Sequence, residues 1–306
     1  MNINQYYGAI IGSACADTLG RATEFMNERD IQKFYDGKVT DFQPDRLRVF
    51  DYGEYTDDTY LMLCIANSLI DSEGFDEYDM SDKFAYWYRT NGRDCGNLTS
   101  DAMSLICDGF EPYDAGKHAW EMSGKQAASN GGLMRNTAVP LFYANNFSQM
   151  VKVSENACKI THYDLRCRLS CIAHSIAMYA ILHDKDIFDT VWAYCGEKDN
   201  EFDDILYEAR DCTIDEFTLS GYGQGYTYLS LKTALSAVFN YDNFEEPIIE
   251  IVNKGGDTDT NACIAGGLLG AKYGIDAVPE RWQKDLLGYS DLYNIAEKLY
   301  ELSQKQ

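Results

Sequence analysis

Asp257-Thr258-Asp259-Thr260 runs straight into Asn261–Tyr273, NACIAGGLLGAKY, and this stretch decides the fold class. Its apolar and small residues recur at i, i+3 and i+4, and the run is too long for an ordinary strand. Three more runs read the same way: Thr59–Ile70 (TYLMLCIANSLI), Leu169–Leu182 (LSCIAHSIAMYAIL) and Leu229–Phe239 (LSLKTALSAVF). Tyr6–Ala16, Met80–Arg89, Met150–Ile160 and Pro247–Asn253 are shorter helical candidates. Val39–Gln43 is a weak strand candidate, and no alternating pair with a hairpin turn accompanies it. The expected fold is all-α. Gly266, Gly267, Gly270 and Gly274 interrupt the last run. Each is about 1 kcal/mol less favourable than Ala inside a helix. Their spacing therefore predicts close helix–helix approach in the core.

The chain has 306 residues and only five prolines. No linker, repeat or low-complexity tract marks a boundary, so residues 1–306 read as a single domain. Lys and Arg number 26 against 49 Asp and Glu, for a net charge of −23. That balance excludes a nucleic-acid surface, which needs basic residues to displace counterions. It also argues against docking on anionic lipid. No run of about 18 apolar residues is seen, so no membrane span is expected. The first residues, MNINQYYGAIIGSACADTLG, lack the basic and apolar regions of a secretory leader. The ten cysteines are scattered and form no CxxC. They read as reduced core thiols, and a cytoplasmic location is expected.

Two short strings carry the functional signal. Thr56-Asp57-Asp58-Thr59 precedes one apolar run, and Asp257-Thr258-Asp259-Thr260 precedes another. Either alone is accounted for by helix capping, in which Asp and Thr accept bonds from free N–H groups. A cap needs one such residue, whereas each start here carries two carboxylates. Side by side, four carboxylates repel unless a cation neutralises them. An all-oxygen ligand set selects hard ions, Mg²⁺ or Mn²⁺ with Ca²⁺ as an alternative, over zinc or copper. The carboxylate number suits two metals about 3.5–4 Å apart. Nothing in the spacing itself shows that the strings meet.

The two strings resemble the signature motifs of the ADP-ribosylglycohydrolase family, which includes the dinitrogenase-reductase-activating glycohydrolases. Other motifs follow in the family's order. Gly12–Gly20 (GSACADTLG) with Glu24 is similar to its N-terminal motif, with Ala16 where Gly usually precedes the Asp. Asp94–Thr99 (DCGNLT) resembles a DxGNxT loop, and Asn130–Arg135 (NGGLMR) resembles NGxxMR. Thr161-His162 and Ser220-Gly221-Tyr222 complete the set. The resemblance implies an orthogonal helical bundle with a central binuclear cleft holding two Mg²⁺ or Mn²⁺ ions. It implies Thr56, Asp57 and Asp58 as metal ligands on one side, and Asp257, Asp259 and Thr260 on the other. Asp94 and Glu24 are the implied catalytic carboxylates, and which of them is the base stays open. Asn97, Gly131 and Gly132 are expected along the diphosphate and ribose path. His162 and Tyr222 are expected at the ADP portion, Tyr222 by stacking.

The chemistry suits these residue types. Cleavage at ribose C1 passes through an oxocarbenium-like state, and carboxylates activate water or protonate the leaving group. Glycine-rich turns and helix N-termini cradle a diphosphate without Lys or Arg. The implied activity is removal of ADP-ribose from a modified protein side chain, arginine first. The alternatives are an inactive ADP-ribose-binding or crystallin-like structural member, and a hydrolase of serine-linked or nucleotide conjugates. Other chemistries find no support. There is no GxSxG elbow and no HExxH pair. Ser123-Gly124-Lys125-Gln126 lacks the first Gly and the Ser/Thr of a phosphate-binding loop. Gly221–Gly225 (GYGQG) lacks the third Gly spacing of a dinucleotide fingerprint.

Overall fold

Two helices are buried on nearly every side, so they must lie at the centre of the structure. One spans Ile3–Gly20, with Tyr6–Gly20 buried; the other spans Thr258–Tyr273, with Thr258–Ala271 buried. They are α1 and α14 of sixteen α-helices in a computed structural model that describes residues 1–306. In chain order the helices begin with α1, α2 (Glu28–Phe34), α3 (Asp57–Asp71), α4 (Glu77–Asn91) and α5 (Asn97–Cys107). Next come α6 (Pro112–Met122), α7 (Ala138–Phe142), α8 (Phe147–Lys159), α9 (Leu165–Leu182), α10 (Ile187–Cys195) and α11 (Asn200–Asp211). The last are α12 (Thr227–Asn240), α13 (Glu245–Lys254), α14, α15 (Glu280–Asp285) and α16 (Tyr289–Ser303). Four short 3₁₀ turns punctuate them.

The glycines set the central spacing. A Cβ on Gly8 or on Gly270 would fall inside the van der Waals shell of the other's carbonyl oxygen. Gly12 and Gly266 oppose each other in the same way, with a Cβ on Gly266 lying 2.6 Å from Gly12 O. At the far end, a Cβ on Gly20 would lie 2.5 Å from Asp259 Cα. The two backbones therefore touch along their length, as the glycine spacing predicted for Gly266 and Gly270.

Around this pair stand α3, α9, α12, α13 and α16, sharing one apolar core of 79 buried residues. Tyr7 of α1 stacks on Tyr293 of α16 with ring centroids 3.9 Å apart. Helix α9 is long and apolar enough to cross a membrane, with mean hydropathy 1.2, yet 67% of it is buried inside the protein. Its apolarity is that of a core helix. No cysteine is disulfide-bonded.

The all-α expectation holds: no strand is present. Val39–Gln43, the weak strand candidate, is an irregular segment pinned by Asn253, whose side chain bonds both N–H and C=O of Val39. Those groups are thus satisfied without a neighbouring strand. Two isolated bridges, Asn27 to Gly255 and Ser129 to Tyr226, are the only strand-like pairings. Both lie beside the cleft described next.

Candidate active site

Gly255 and Gly256 lead the chain into α14 with φ of 76° and 86°. A Cβ on either would collide with backbone across the gap, at Met26 O and Leu219 O respectively. Phe25 N donates to Gly256 O at 2.7 Å, and Gly256 N donates to Met26 O at 2.8 Å. The turn after α1 is thereby sewn to the start of α14. Glu24 is brought to Asp257 and Asp259, with one carboxylate oxygen of each within 4.8 Å of the others.

The second acidic string is held by a residue of α1. Asp17 is fully buried and accepts from Thr56 N at 3.1 Å and Thr56 Oγ1 at 2.9 Å. It also accepts from Thr59 N at 3.2 Å and Thr59 Oγ1 at 2.6 Å. This clamp fixes the first turn of α3 and points Asp57 and Asp58 into the same cleft as Asp257 and Asp259. Residues 200 positions apart in sequence therefore share one cavity of about 400 Å³.

The electrostatics follow from the crowding. No Lys or Arg lines the cleft. Burial, and then the neighbouring carboxylates, hold Asp57, Asp58 and Asp259 well above the usual carboxylate range. Burial, with Asp94 and Asp257 next, pushes Glu24 up to about 9. Asp17 is pushed up to about 6 by burial, against the lowering effect of its threonine bonds. Oδ1 of Asp58 and Oδ1 of Asp259 are buried with no hydrogen-bond partner. Orphaned buried oxygens in an anionic pocket are what a bound divalent cation satisfies, so the residues present fit such an ion. Asp57, Asp58, Asp257, Asp259, Thr260 and Glu24 are placed to hold it.

Asp94 enters from the loop between α4 and α5. Arg93 anchors that loop through an ion pair to Glu54 and a 2.8 Å bond to Val49 O. Asp94 itself sits at φ 64°, a left-handed conformation that Asp tolerates better than most residues. Burial first, then Asp257, raises its carboxyl. Next to it, α5 starts at Asn97 after the cap residue Gly96, with no side-chain cap on its first N–H groups, and Gly96 to Thr99 line the cleft. Opposite stands the Asn130–Gly132 turn. Asn130 Nδ2 donates to Asp257 Oδ2 and to Ser230 Oγ, both at 2.9 Å. Gly131 lines the cleft between Thr99 and the His162 ring.

Four expected site residues are placed differently. Thr56 is fully buried and is not among the residues lining the cavity; its hydroxyl bonds Asp17 and the first turn of α3, beside Asp58 Oδ2 at 3.2 Å. Gly132 is packed behind the turn against Cys158 and His162. His162 is fully buried, with Nδ1 2.7 Å from Thr161 Oγ1 and Nε2 3.0 Å from Ser129 Oγ, so neither nitrogen reaches the cleft. Burial, with the Arg135 guanidinium second, holds its imidazole well below the ordinary value. Tyr222 is fully exposed on the Ser220–Gly225 turn and borders a separate surface cavity with Arg166 and Lys232.

The sequence profile of the ADP-ribosylglycohydrolase family matches residues 2–306. The chain belongs to the ADP-ribosylglycohydrolase family. An ADP-ribosylhydrolase ARH3 from Danio rerio is 28% identical over 99% of this chain and 91% of its own. An ADP-ribosylarginine hydrolase, Tri1 of Serratia proteamaculans, is 26% identical over 100% of this chain and 81% of its own. A solved ADP-ribosylglycohydrolase-related protein complex superposes with a TM-score of 0.83 at 27% identity, covering 98% of each chain. Within this glycohydrolase, sequence reasoning missed Asp17 and Asn130 as site-building residues. Asp17 carried a signal: it is the lone charge in GAIIGSACADTLG, on a helix otherwise apolar or small. Asn130 carried none beyond its place in the NGGLMR string.

Proposed function

We propose that this glycohydrolase cleaves the N-glycosidic bond between ADP-ribose and a modified arginine side chain, with two bound Mg²⁺ or Mn²⁺ ions. One observation carries the reading: Asp57, Asp58, Asp257 and Asp259 meet in a single cleft that Asp94 and Glu24 also line. Every charged side chain lining the cleft is a carboxylate, which suits departure of a guanidine that ends as a cation. The Serratia arginine hydrolase supports the same linkage. The bound cations would supply a grip on the ribose hydroxyls and charge stabilisation. Asp94 takes the role of base, because it lines the cleft yet stands outside the Glu24–Asp257–Asp259 group, and its carboxyl is raised by burial and by Asp257 with no hydrogen bond acting on it. It takes a proton from the attacking water as the C1–N bond opens, and that proton passes on to the departing guanidine nitrogen. Glu24, held protonated by its surroundings until a cation binds, belongs with the cation-holding carboxylates. Exposed N–H groups at α5 and the glycine turn receive the diphosphate.

The experiment is release of ADP-ribose from an ADP-ribosyl-arginine protein with Mg²⁺, with Mn²⁺ and with EDTA. Serine-linked and nucleotide conjugates run alongside. Cation-dependent release from the arginine conjugate is expected. Release only from another linkage refutes the arginine assignment, and no release from any conjugate refutes turnover.

A further inference from the structure

Phe25 is the one large apolar side chain that stands open in the cleft. Leu98 and Met134 also line it, but they are 7% and 4% exposed, whereas Phe25 is 65% exposed. No other ring of this chain stacks on the Phe25 ring, and no Lys or Arg lies over it. An aromatic face left in water forgoes the stabilisation that burial would give it.

The backbone holds the ring there against its own preference. Phe25 has φ 58°, and it is the only apolar residue among the eight non-glycine residues with positive φ. A bulky side chain in that left-handed region is strained, and such strain persists only where surrounding bonds enforce it. The bonds are those that sew the turn after α1 to the start of α14. Phe25 N donates to Gly256 O at 2.7 Å, Met26 N to Thr23 O at 3.0 Å, and Gly256 N to Met26 O at 2.8 Å. The same turn sets Glu24 against Asp257 and Asp259. Phe25 is thus fixed one residue, about 3.8 Å of backbone, from the carboxylates placed to hold a cation.

We propose that, within the ADP-ribosyl-arginine reading on which this rests, Phe25 is a specificity-determining residue whose ring face receives the planar guanidinium of the modified arginine. In that reading the cations grip the ribose that carries the scissile bond. Adenosine lies two phosphates further on, towards α5 and the Asn130–Gly132 turn. A ring beside Glu24 therefore belongs to the scissile end of the ligand. A guanidinium joined to ribose keeps its plane and its positive charge, and such a group stacks on an aromatic face. Carboxylates attract any cation, whereas a ring face selects a flat one. A serine-linked conjugate presents neither charge nor plane at that position, so the ring discriminates between linkages. This recognition accounts for an aromatic kept strained and exposed among carboxylates.

The test compares Phe25→Leu, Phe25→Tyr and Phe25→Trp with the unsubstituted protein in Mg²⁺. The readouts are KM and kcat for an ADP-ribosyl-arginine conjugate, and ADP-ribose affinity by calorimetry. Leucine keeps an apolar side chain at the same φ but has no π face. It is expected to raise KM about tenfold, the factor carried by one partly desolvated cation–π contact, while kcat holds. Affinity for ADP-ribose, which lacks the arginine, is expected to stay unchanged, and Tyr and Trp are expected to restore most of the KM. An unchanged KM in Phe25→Leu overturns the proposal. So does an equal loss of ADP-ribose affinity, which would put the ring under the sugar or the adenine. Failure of both aromatic variants to restore KM overturns it too, since the ring would then act only as bulk. An unsubstituted protein that leaves the arginine conjugate uncut instead overturns the functional reading itself.

Discussion

Gly20→Ala tests whether the spacing of the two central helices is what places the acidic cluster. Gly20 has ordinary helical φ and ψ of −64° and −36°, so alanine is conformationally allowed there. Only space forbids it: a Cβ would lie 2.5 Å from Asp259 Cα and Thr258 O, and 2.6 Å from Asp259 N. Ordinary contacts begin near 3.4 Å, so α1 and the first turn of α14 must part by about 1 Å. Overpacking of this kind costs about 1–3 kcal/mol, and the gain in helix propensity returns about 1 kcal/mol. The net loss of about 0–2 kcal/mol corresponds to a Tm drop of at most about 3 °C in a chain this long. The functional loss is larger, because a 1 Å displacement of reacting groups costs about 100-fold in rate. Initial rates of ADP-ribose release and thermal melts, measured together, check the ratio. Gly74→Ala is the control, since its Cβ would meet nothing nearer than 3.8 Å. Full activity in Gly20→Ala would show that the helix contact does not position Asp259, and the account of the site would fail.

Other outcomes follow from the charges. The cleft carboxylates have folded-state pKa values above their unfolded ones, so between about pH 5 and 9 the unfolded chain releases their protons first. Their stabilising contribution is present at the low end and lost as pH rises through the raised values. Metal-free protein is therefore less stable at pH 8.5 than at pH 6, and Mg²⁺ removes most of the difference; urea midpoints rising with pH in EDTA would contradict this. Asp257→Asn and Asp259→Asn each relieve repulsion, so both variants melt no lower than the metal-free parent but lose the Tm rise on adding Mg²⁺ and the hydrolytic rate. Retention of that Tm rise in both would remove them from the cation site. Arg93→Met frees the loop that carries Asp94 and is expected to lower kcat by about tenfold or more with little change in Tm, as follows from a misplaced base; an unchanged kcat would show that Asp94 needs no anchor.

The helices were legible because helical period and capping are local. Thr59–Ile70, Leu169–Leu182, Leu229–Phe239 and Asn261–Tyr273 all lie within or across observed helices. The amphipathic segment Tyr289–Ser303, whose polar face dilutes the apolar pattern, was not singled out as a helix. The site was half legible. Asp57, Asp58, Asp257 and Asp259 were conspicuous because two carboxylates exceed what a cap requires.

By itself, then, the chain of residues settled the helical class, the acidic starts of α3 and α14 and the glycines between α1 and α14, all properties of neighbours within a few turns. Tertiary structure alone settled who meets whom. Asp17 and Thr56 are 39 residues apart, and their bond is what fixes the acidic start of α3 against α1. His162 was drawn behind Ser129 and Tyr222 was left in solvent. Such partnerships depend on how helices cross, and crossing is fixed by the packing of distant surfaces, which no local pattern encodes.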